Sequence, residues 1–446
     1  MVVMKFGGTS VQDAAAINNL VKIAATREGE RLVVVSALAK VTDALLNIAR
    51  LCELGLLPAA ETSVEELRLR HKLVGRELAL NSMQMEPIEN WFQQLRNLVH
   101  SLATLREVSP RSRDLLASFG ELSSSCLVHG AFIQTGISCE WIDSRQMIIT
   151  DSEFTTAQVQ WDKTADRIQK NLKPLLKNKI AVAQGFIGGD SNGQTTTLGR
   201  GGSDYSGAIY AASLNADKVE IWTDVNGILS TDPRLVPEAR TIRQVHYLEA
   251  AEMAYFGAKV LHPATIFPAL KQRIPVWVLN SKDSQDPGTE ITFAPTNSAG
   301  VRGIAFKNNI TMVNIHSGRM LGAHGFLKNV FDIFARHKLS VDLISTSEVN
   351  ISLTLDPHSD MESLLRAKAE LTAFSDVEIT GNQAMISVIG SGIRETPGLA
   401  AKIFNEIKDI NVQMISMGAS ELNLSFVVAS SRAGEAIKKL HKILIE

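Results

Sequence analysis

Thr195-Thr196-Thr197-Leu198-Gly199-Arg200-Gly201-Gly202-Ser203-Asp204 sets three threonines, three glycines, one guanidinium and one carboxylate just before an apolar run, Ala208 to Leu214. Glycines carry no Cβ, so their backbone N–H groups can approach an anion closely, and a helix starting there adds partial positive charge. Arg200 is suited to grip a carboxylate or phosphate through two parallel hydrogen bonds. Asp204 serves as a metal ligand, as the orienting partner of a lysine, or as a plain cap for the next helix.

Around this stretch, short β-branched runs alternate with longer helical patterns through roughly the first 280 residues, the signature of a mainly parallel sheet. The expected strands are Val2–Phe6, Leu32–Ser36, Ile137–Ile142, Ile180–Phe186, Val219–Trp222 and Val276–Leu279. Most are apolar throughout, as strands covered on both faces must be. Residues 61–107, rich in Glu, Leu, Arg and Gln, read as a helical insert whose charges form a solvated face. The polar, Pro/Gly-punctuated stretch Ser281 to Gly300 reads as the domain boundary.

Beyond the boundary lies an internal repeat. Gly325-Phe326-Leu327, Val330, Phe331 and Phe334 lead into Leu339-Ser340-Val341-Asp342-Leu343-Ile344. Gly398-Leu399, Ile403, Phe404 and Ile407 lead likewise into Ile410-Asn411-Val412-Gln413-Met414-Ile415. Each copy fits a βαββαβ order, the second with a shorter helix. The first copy opens with Ile310–His316 and the second with Ala384–Ile389. The second then lacks a strand, expected from Val301–Phe306, which would place the first copy inside the second; a plain tandem with one open edge is the alternative.

With 446 residues, 45% hydrophobic and 21% charged, the chain suits an ordinary globular protein of two or three domains. A net charge of −2 gives no basic field for nucleic acid or anionic membrane. Three cysteines without CxxC spacing read as reduced thiols of a cytoplasmic protein. No HExxH pair points to zinc, and no metal site is expected. No apolar run reaches the roughly 18 residues of a membrane span. Met1-Val2-Val3-Met4 leads straight into a strand with no signal-peptide features.

Several further stretches carry chemistry. In Lys5-Phe6-Gly7-Gly8-Thr9-Ser10 a strand ends in a glycine turn, the usual ligand position in open α/β sheets, with Lys5 able to offset a phosphoryl group's growing charge. Neither a Walker A loop nor a GxGxxG follows a strand. Thr42, at an expected helix start, either caps or meets substrate. Glu121, within Ser118-Phe119-Gly120-Glu121, sits among small residues and suits an ammonium group, or is an ordinary first-turn acid. Trp222-Thr223-Asp224-Val225 ends a strand in polar groups, and with Asp232-Pro233-Arg234 could hold a ribose and phosphates. Phe256-Gly257-Ala258-Lys259-Val260-Leu261-His262-Pro263 supplies a second lysine. Together, two lysines, an arginine, glycine turns and an acid able to hold magnesium meet the needs of phosphoryl transfer from ATP, which asks for positive charge in line with the moving group.

Those motifs, with Thr196 to Asp204, resemble the signatures of aspartate kinase over essentially the whole chain. The resemblance implies an α/β fold: an amino-acid-kinase (carbamate-kinase-like) three-layer αβα sandwich, residues 1–293, followed by two ferredoxin-like ACT domains. The first ACT domain would be 310–384, inserted in a second made of 301–309 with 385–446. It implies ATP-dependent phosphorylation of the L-aspartate side chain to 4-phospho-L-aspartate, the step that opens lysine, threonine and methionine synthesis, with Mg2+ carried mainly by the ATP phosphates. By position, Lys5 and Lys259 would neutralise the moving phosphoryl group and Asp204 would organise them. Arg200 would hold the aspartate α-carboxylate and Glu121 its ammonium, with Thr42 and Ser203 seating it. Gly7, Gly8, Thr223, Asp224, Leu229, Arg234 and Val260 would line the nucleotide site with the two lysines; relatives often carry Tyr where this chain has Leu229. The first ACT copy resembles the lysine-inhibited class, with Met320, Gly325, Phe326, Leu327, Asp342, Thr346, Ser347 and Glu348 as effector residues. Threonine and methionine remain alternative effectors. A homodimer through the ACT domains is implied, with pairing into tetramers left open.

Overall fold

Val2–Phe6 (β1) is buried at all of its positions, Lys5 included, and runs through the middle of an eight-stranded sheet. The structure is a computed structural model describing residues 1–257, 263–294, 300–357 and 359–445, which fall into two bodies. The first body comprises Met1–Ile228, Arg243–Tyr247 and residues 263–294. Its remaining strands are β2 (Arg31–Val35), β3 (Cys139–Ile142), β4 (Ile149–Thr150), β5 (Ile180–Gln184), β6 (Ile187–Asp190), β7 (Thr195–Thr197), β8 (Lys218–Thr223), β9 (Gln244–His246), β10 (Val276–Asn280) and β11 (Thr289–Thr292).

The main sheet has the order β3-β5-β2-β1-β8-β10-β11-β9, parallel except between β10 and β11. Strands β4, β6 and β7 form a small second sheet. The helices α1 (Ala14–Ala25), α2 (Val41–Glu53), α3 (Leu57–Glu77), α4 (Ser82–Leu105), α5 (Pro110–Gln134), α6 (Ser144–Met147), α7 (Trp161–Arg167), α8 (Lys173–Leu176) and α9 (Gly202–Leu214) follow in chain order; after β9 come α10 (Tyr247–Tyr255), which from Leu248 belongs to the second body, and α11 (Pro263–Lys271). Helix α5 is buried along most of its length because β2, β3 and β5 lie on one side and α2, α3 and α4 on the other. Phe6 stacks on Trp222 with ring centroids 5.8 Å apart, joining β1 to β8 beneath the sheet's ligand edge. Each such fully buried large side chain stabilises the fold by about 1.5–3 kcal/mol.

The six expected strands are all present, with ends shifted by a residue or two. Three features depart from expectation. Thr195–Thr197 is strand, pairing antiparallel with β6. The helical insert is longer than residues 61–107, beginning at Leu57 and continuing through α4 into α5. The stretch read as a boundary, Ser281 to Gly300, contains β11, which pairs with β10 and β9 in the main sheet.

The second body comprises Leu229–Ile242, residues 248–257, 300–357 and 359–445. Its sheet uses β12 (Gly300–His316), β13 (Val341–Thr346), β14 (Asn350–Leu355), β15 (Asp376–Ser391), β16 (Met414–Met417) and β17 (Asn423–Ala429), in the order β13-β14-β12-β15-β17-β16. All its pairings are antiparallel. Helices α12 (Phe326–Arg336), α13 (Met361–Leu371), α14 (Leu399–Glu406) and α15 (Ser430–Leu444) cover it. Helix α14 has 8 residues against 11 in α12, the shorter second helix that the repeat spacing predicts. Strand β12 pairs with β15 over most of its length, and its second half, Thr311–His316, also pairs with β14. Two separate apolar clusters form, one around Val313, Phe334 and Leu353, the other around Ile386, Phe426 and Ile437.

Candidate active site

A cleft of about 720 Å³ opens at the carboxyl ends of β1 and β2, bounded by the start of α2, the turn before α9 and one face of α5. It brings together Lys5, Gly8, Thr42, Glu121, Arg200, Ser203 and Asp204, residues drawn from four distant parts of the sequence.

Lys5 is the one cationic position in β1, and its side chain is 10% exposed. A lysine ammonium so far out of water needs a partner, and Asp204 supplies it, with Nζ 2.6 Å from Oδ1. That contact separates the three readings of Asp204. The N-cap of α9 is Gly201, at φ 74, and no side chain caps the helix, so Asp204 is the lysine's partner from inside the first turn. The N–H groups of Ser203 and Asp204 precede the first i→i−4 bond of α9, from Tyr205 N–H to Gly201 C=O. Helix geometry leaves such donors for a ligand or water. The start of α9 lies close to the end of β5 because Gly185 has no side chain: a Cβ there would fall 2.7 Å from Ser203 Cβ.

Glu121 is 3% exposed in the middle of α5. Its Oε1 accepts from the Ala37 N–H at 3.1 Å, while Oε2, equally buried, has no hydrogen-bond partner among the described residues. Burial pushes its carboxyl up to about 8, against the opposing pull of the Ala37 N–H and the Lys5 charge. An ammonium group at Oε2 would supply what the site lacks. Arg200 is exposed and makes no ion pair among the described residues, so its fork is free for an anion. Thr42 stands in the first turn of α2 and is not its cap; that position belongs to Lys40, held left-handed at φ 67 with no side-chain cap bond.

The nucleotide-side residues are less gathered. Gly7 donates its N–H to Trp222 C=O at 3.0 Å, and parallel register (Phe6 opposite Trp222) brings Gly7 and Thr223 out at the same sheet edge. The Thr223 hydroxyl donates to Asp224 Oδ1 at 3.3 Å, and its carbonyl accepts from the Ser281 N–H at 2.8 Å. Gly7, Thr223 and Asp224 do not line the cleft. Leu229 and Arg234 belong to the second body, where Leu229 bridges to Thr241 and Arg234 is paired with Asp232. Lys259 and Val260 lie outside the described residues.

In the second body, Gly325 is the left-handed N-cap of α12 (φ 82). Phe326 is buried, Met320 half-buried, and Leu327, Thr346, Ser347 and Glu348 are exposed. Asp342 differs from the freely available acid that its sequence position suggests. Its side chain is 4% exposed, with Oδ2 3.0 Å from Lys307 Nζ and Oδ1 accepting from the Tyr255 hydroxyl at 2.7 Å. Lys307 also lies 3.4 Å from Asp356 and 4.3 Å from the centre of the Tyr255 ring. Burial, with the Asp342 carboxylate beside it, raises the Tyr255 phenol.

Sequence reading missed several residues of the cleft wall: Lys40, Arg113, Asp114 and Thr155. Arg113-Asp114 looks like any exposed helical pair in sequence, yet Asp114 is 1% exposed. Only the unusual left-handed backbone of Lys40 and of Thr155 (φ 74) marks those two, and no sequence signal announces it.

Comparison with known proteins agrees along the whole length. Residues 1–280 match the model of the amino acid kinase family, and residues 386–444 match an ACT domain. The lysine-sensitive aspartokinase 3 of Escherichia coli K12 is 39% identical over 452 residues, covering 100% of this chain and 99% of that protein. The crystal structure of E. coli aspartokinase III in complex with aspartate and ADP (R-state) has a TM-score of 0.87 at 39% identity, with both chains fully covered. That of the same enzyme in complex with lysine and aspartate (T-state) has a TM-score of 0.86 at 38% identity, again with full coverage of both.

Proposed function

The chain belongs to the aspartokinase family, and from that premise we propose that it transfers the γ-phosphoryl group of ATP to the side-chain carboxylate of L-aspartate, giving 4-phospho-L-aspartate and ADP, under inhibition by L-lysine. The observation that carries this reading is one cleft holding both the Lys5–Asp204 pair and Glu121 with its unpartnered Oε2.

The acceptor is held at its α-carbon end. Glu121 Oε2 takes the ammonium, the Arg200 fork takes the α-carboxylate by two hydrogen bonds, and Thr42 and Ser203 close around the backbone atoms. The side-chain carboxylate is then presented to the γ-phosphorus, one of its oxygens forming the new P–O bond while the bridging oxygen leaves with ADP. A carboxylate needs no general base, so the chain's task is positioning and charge. Lys5, aimed by Asp204, offsets the charge that spreads over the phosphoryl oxygens, with Lys259 as second cation. Gly7, Gly8, Thr223 and Asp224, at the ends of β1 and β8, receive the nucleotide. Mg2+ neutralises the nucleotide phosphates when bound. Asp204 is committed to Lys5, so the residues fit an ion carried by phosphates rather than by a protein carboxylate cage.

For regulation, Gly325 N–H, Asp342 and Glu348 recognise the charged ends of lysine, and Met320, Phe326, Leu327, Thr346 and Ser347 surround it. For the regulatory part, limits of 310–384 for the first ACT domain and of 301–309 with 385–446 for the second are supported by the pairing of the first part of β12 with the last part of β15, while the catalytic limits of 1–293 rest on the resemblance alone. Edge strands β13 and β16 carry exposed Ile344, Ile415 and Met417, which suit a homodimer through the ACT sheets, with tetramers from paired dimers. A cytoplasmic location suits three free, buried cysteines, and no described helix is long and apolar enough to cross a membrane.

A coupled ADP-release assay over L-aspartate, L-glutamate and carbamate, with and without lysine, tests the proposal. Turnover confined to L-aspartate and suppressed by lysine is expected. Turnover with another acceptor and none with aspartate would reject it.

A further inference from the structure

One buried acid of the cleft wall has no part in the chemistry above. Asp114 stands on α5, seven residues before Glu121, so the two side chains leave the same helix face two turns apart. At 1% exposure its carboxylate collects three donors from two other segments. Oδ2 accepts from the Thr155 N–H and the Thr197 N–H, each at 2.9 Å, and Oδ1 accepts from the Thr197 hydroxyl at 2.7 Å. The Ala157 N–H donates to Thr197 C=O at 3.0 Å, so the loop and β7 are also tied to each other. Thr155 is held at φ 74, a conformation that a threonine keeps only where its surroundings impose it. Thr197 runs directly into Leu198-Gly199-Arg200, the turn that carries the guanidinium.

We infer that Asp114 is a positioning residue that fixes the distance between Glu121 and Arg200, and so sets the enzyme's preference for an acceptor bearing both an α-ammonium and an α-carboxylate in the L configuration. The inference rests on the roles assigned above to Glu121 and Arg200. One carboxylate joins the helix bearing the ammonium acceptor to the strand leading into the carboxylate grip. While its three hydrogen bonds hold, Thr155 and Thr197, at the root of the Arg200 turn, stay fixed against α5. Burial raises the Asp114 carboxyl against the opposing pull of the three donors, all of which use its oxygens as acceptors. Asp114 itself makes no contact that the phosphoryl transfer requires, so its loss should blur recognition of the acceptor more than it slows the chemistry.

The test compares wild type with Asp114→Ala and Thr197→Val in full-length protein. The readouts are KM for L-aspartate, KM for ATP, kcat, and the inhibition constant of D-aspartate against L-aspartate. Expected for Asp114→Ala is a rise of at least about tenfold in KM for L-aspartate, KM for ATP within about twofold, and a several-fold fall in the L-over-D preference. Thr197→Val removes one of the three hydrogen bonds with little change of volume and should move the same quantities in the same direction by less. It decides the matter if Asp114→Ala does not fold. A proportional loss in all parameters, a fall in kcat alone, or an unchanged L-over-D preference would overturn the inference. Glu121→Gln, run alongside, keeps the two readings apart. If that change leaves KM for L-aspartate untouched, the assigned anchors are wrong; if it raises KM while the Asp114 and Thr197 changes leave the preference intact, only the positioning role fails.

Discussion

Glu121 in the first body and Asp342 in the second are both buried acids, but only one has all its partners. Among the described residues, Glu121 leaves Oε2 without a hydrogen bond and is raised to about 8, whereas both Asp342 oxygens are engaged, by Lys307 and Tyr255. A buried polar group left unpaired costs about 1–3 kcal/mol, a cost that substrate binding can recover at Glu121. At Asp342 a cationic effector must share or displace partners already in place. With the roles proposed above, substrate binding would gain a missing partner at Glu121, whereas effector binding at Asp342 would have to rearrange existing ones.

Breaking the first side of the contrast should have the largest effect. Lys5→Ala, which strands Asp204 and removes the cation, should lower kcat by about 10²–10³-fold. Lysine binding, measured by titration calorimetry, should stay at the wild-type level, and retained turnover would remove Lys5 from its assigned role. Asp342→Asn tests the other side. Losing a charged hydrogen-bond partner should weaken lysine inhibition by about 10–100-fold with kcat preserved, and an unchanged inhibition curve would show that this acid does not meet the effector.

A pH series sharpens the comparison further. Glu121 is protonated in the free enzyme below about 8 and must ionise to hold an ammonium, so KM for L-aspartate should fall as pH rises toward 8 and then level. The slope is at most about tenfold per unit, and Glu121→Gln should flatten it. The sign for folding is the reverse. The folded carboxyl lies above its unfolded value of 4.5, so its contribution to stability is fully present below 4.5 and is lost as pH rises through about 8. A wild-type KM profile that already shows no pH dependence between 6 and 8 would contradict the assignment.

The smallest effect separates the two repeat copies. Gly325 and Gly398 cap α12 and α14 with nearly the same backbone, φ 82 and φ 78. Replacing either by Ala should cost about 1–2 kcal/mol, read as a similar drop in melting temperature. Only Gly325→Ala should also shift the lysine response; a shift from Gly398→Ala as well would assign the second copy an effector role of its own.

Much of this was legible in the sequence because it rests on local signals. Apolar β-branched runs placed the main strands, and glycine beside charge marked Lys5 and the Arg200 turn. The matching series from Gly325 to Ile344 and from Gly398 to Ile415 exposed the repeat. What stayed hidden depends on contacts between distant segments. Asp114 has the sequence context of an exposed helical acid, and its burial arises only because β7 and the Thr155 loop close over α5. The partners of Asp342 come from β12 and from α10, and no spacing rule connects those positions. The polar stretch before the repeat hid β11, since a four-residue strand with Thr at both ends looks like a linker.

Strand β12 has a consequence for how the chain reaches this form. Its first residues find their ladder partners in β15, with Val301 opposite Gly390, so the neighbouring strand is made long after β12 itself has emerged from the ribosome. Pairings so remote in sequence form slowly, and until they do an apolar edge waits uncovered. The second body's sheet should therefore be a late step of folding, closing only once β15 has been made.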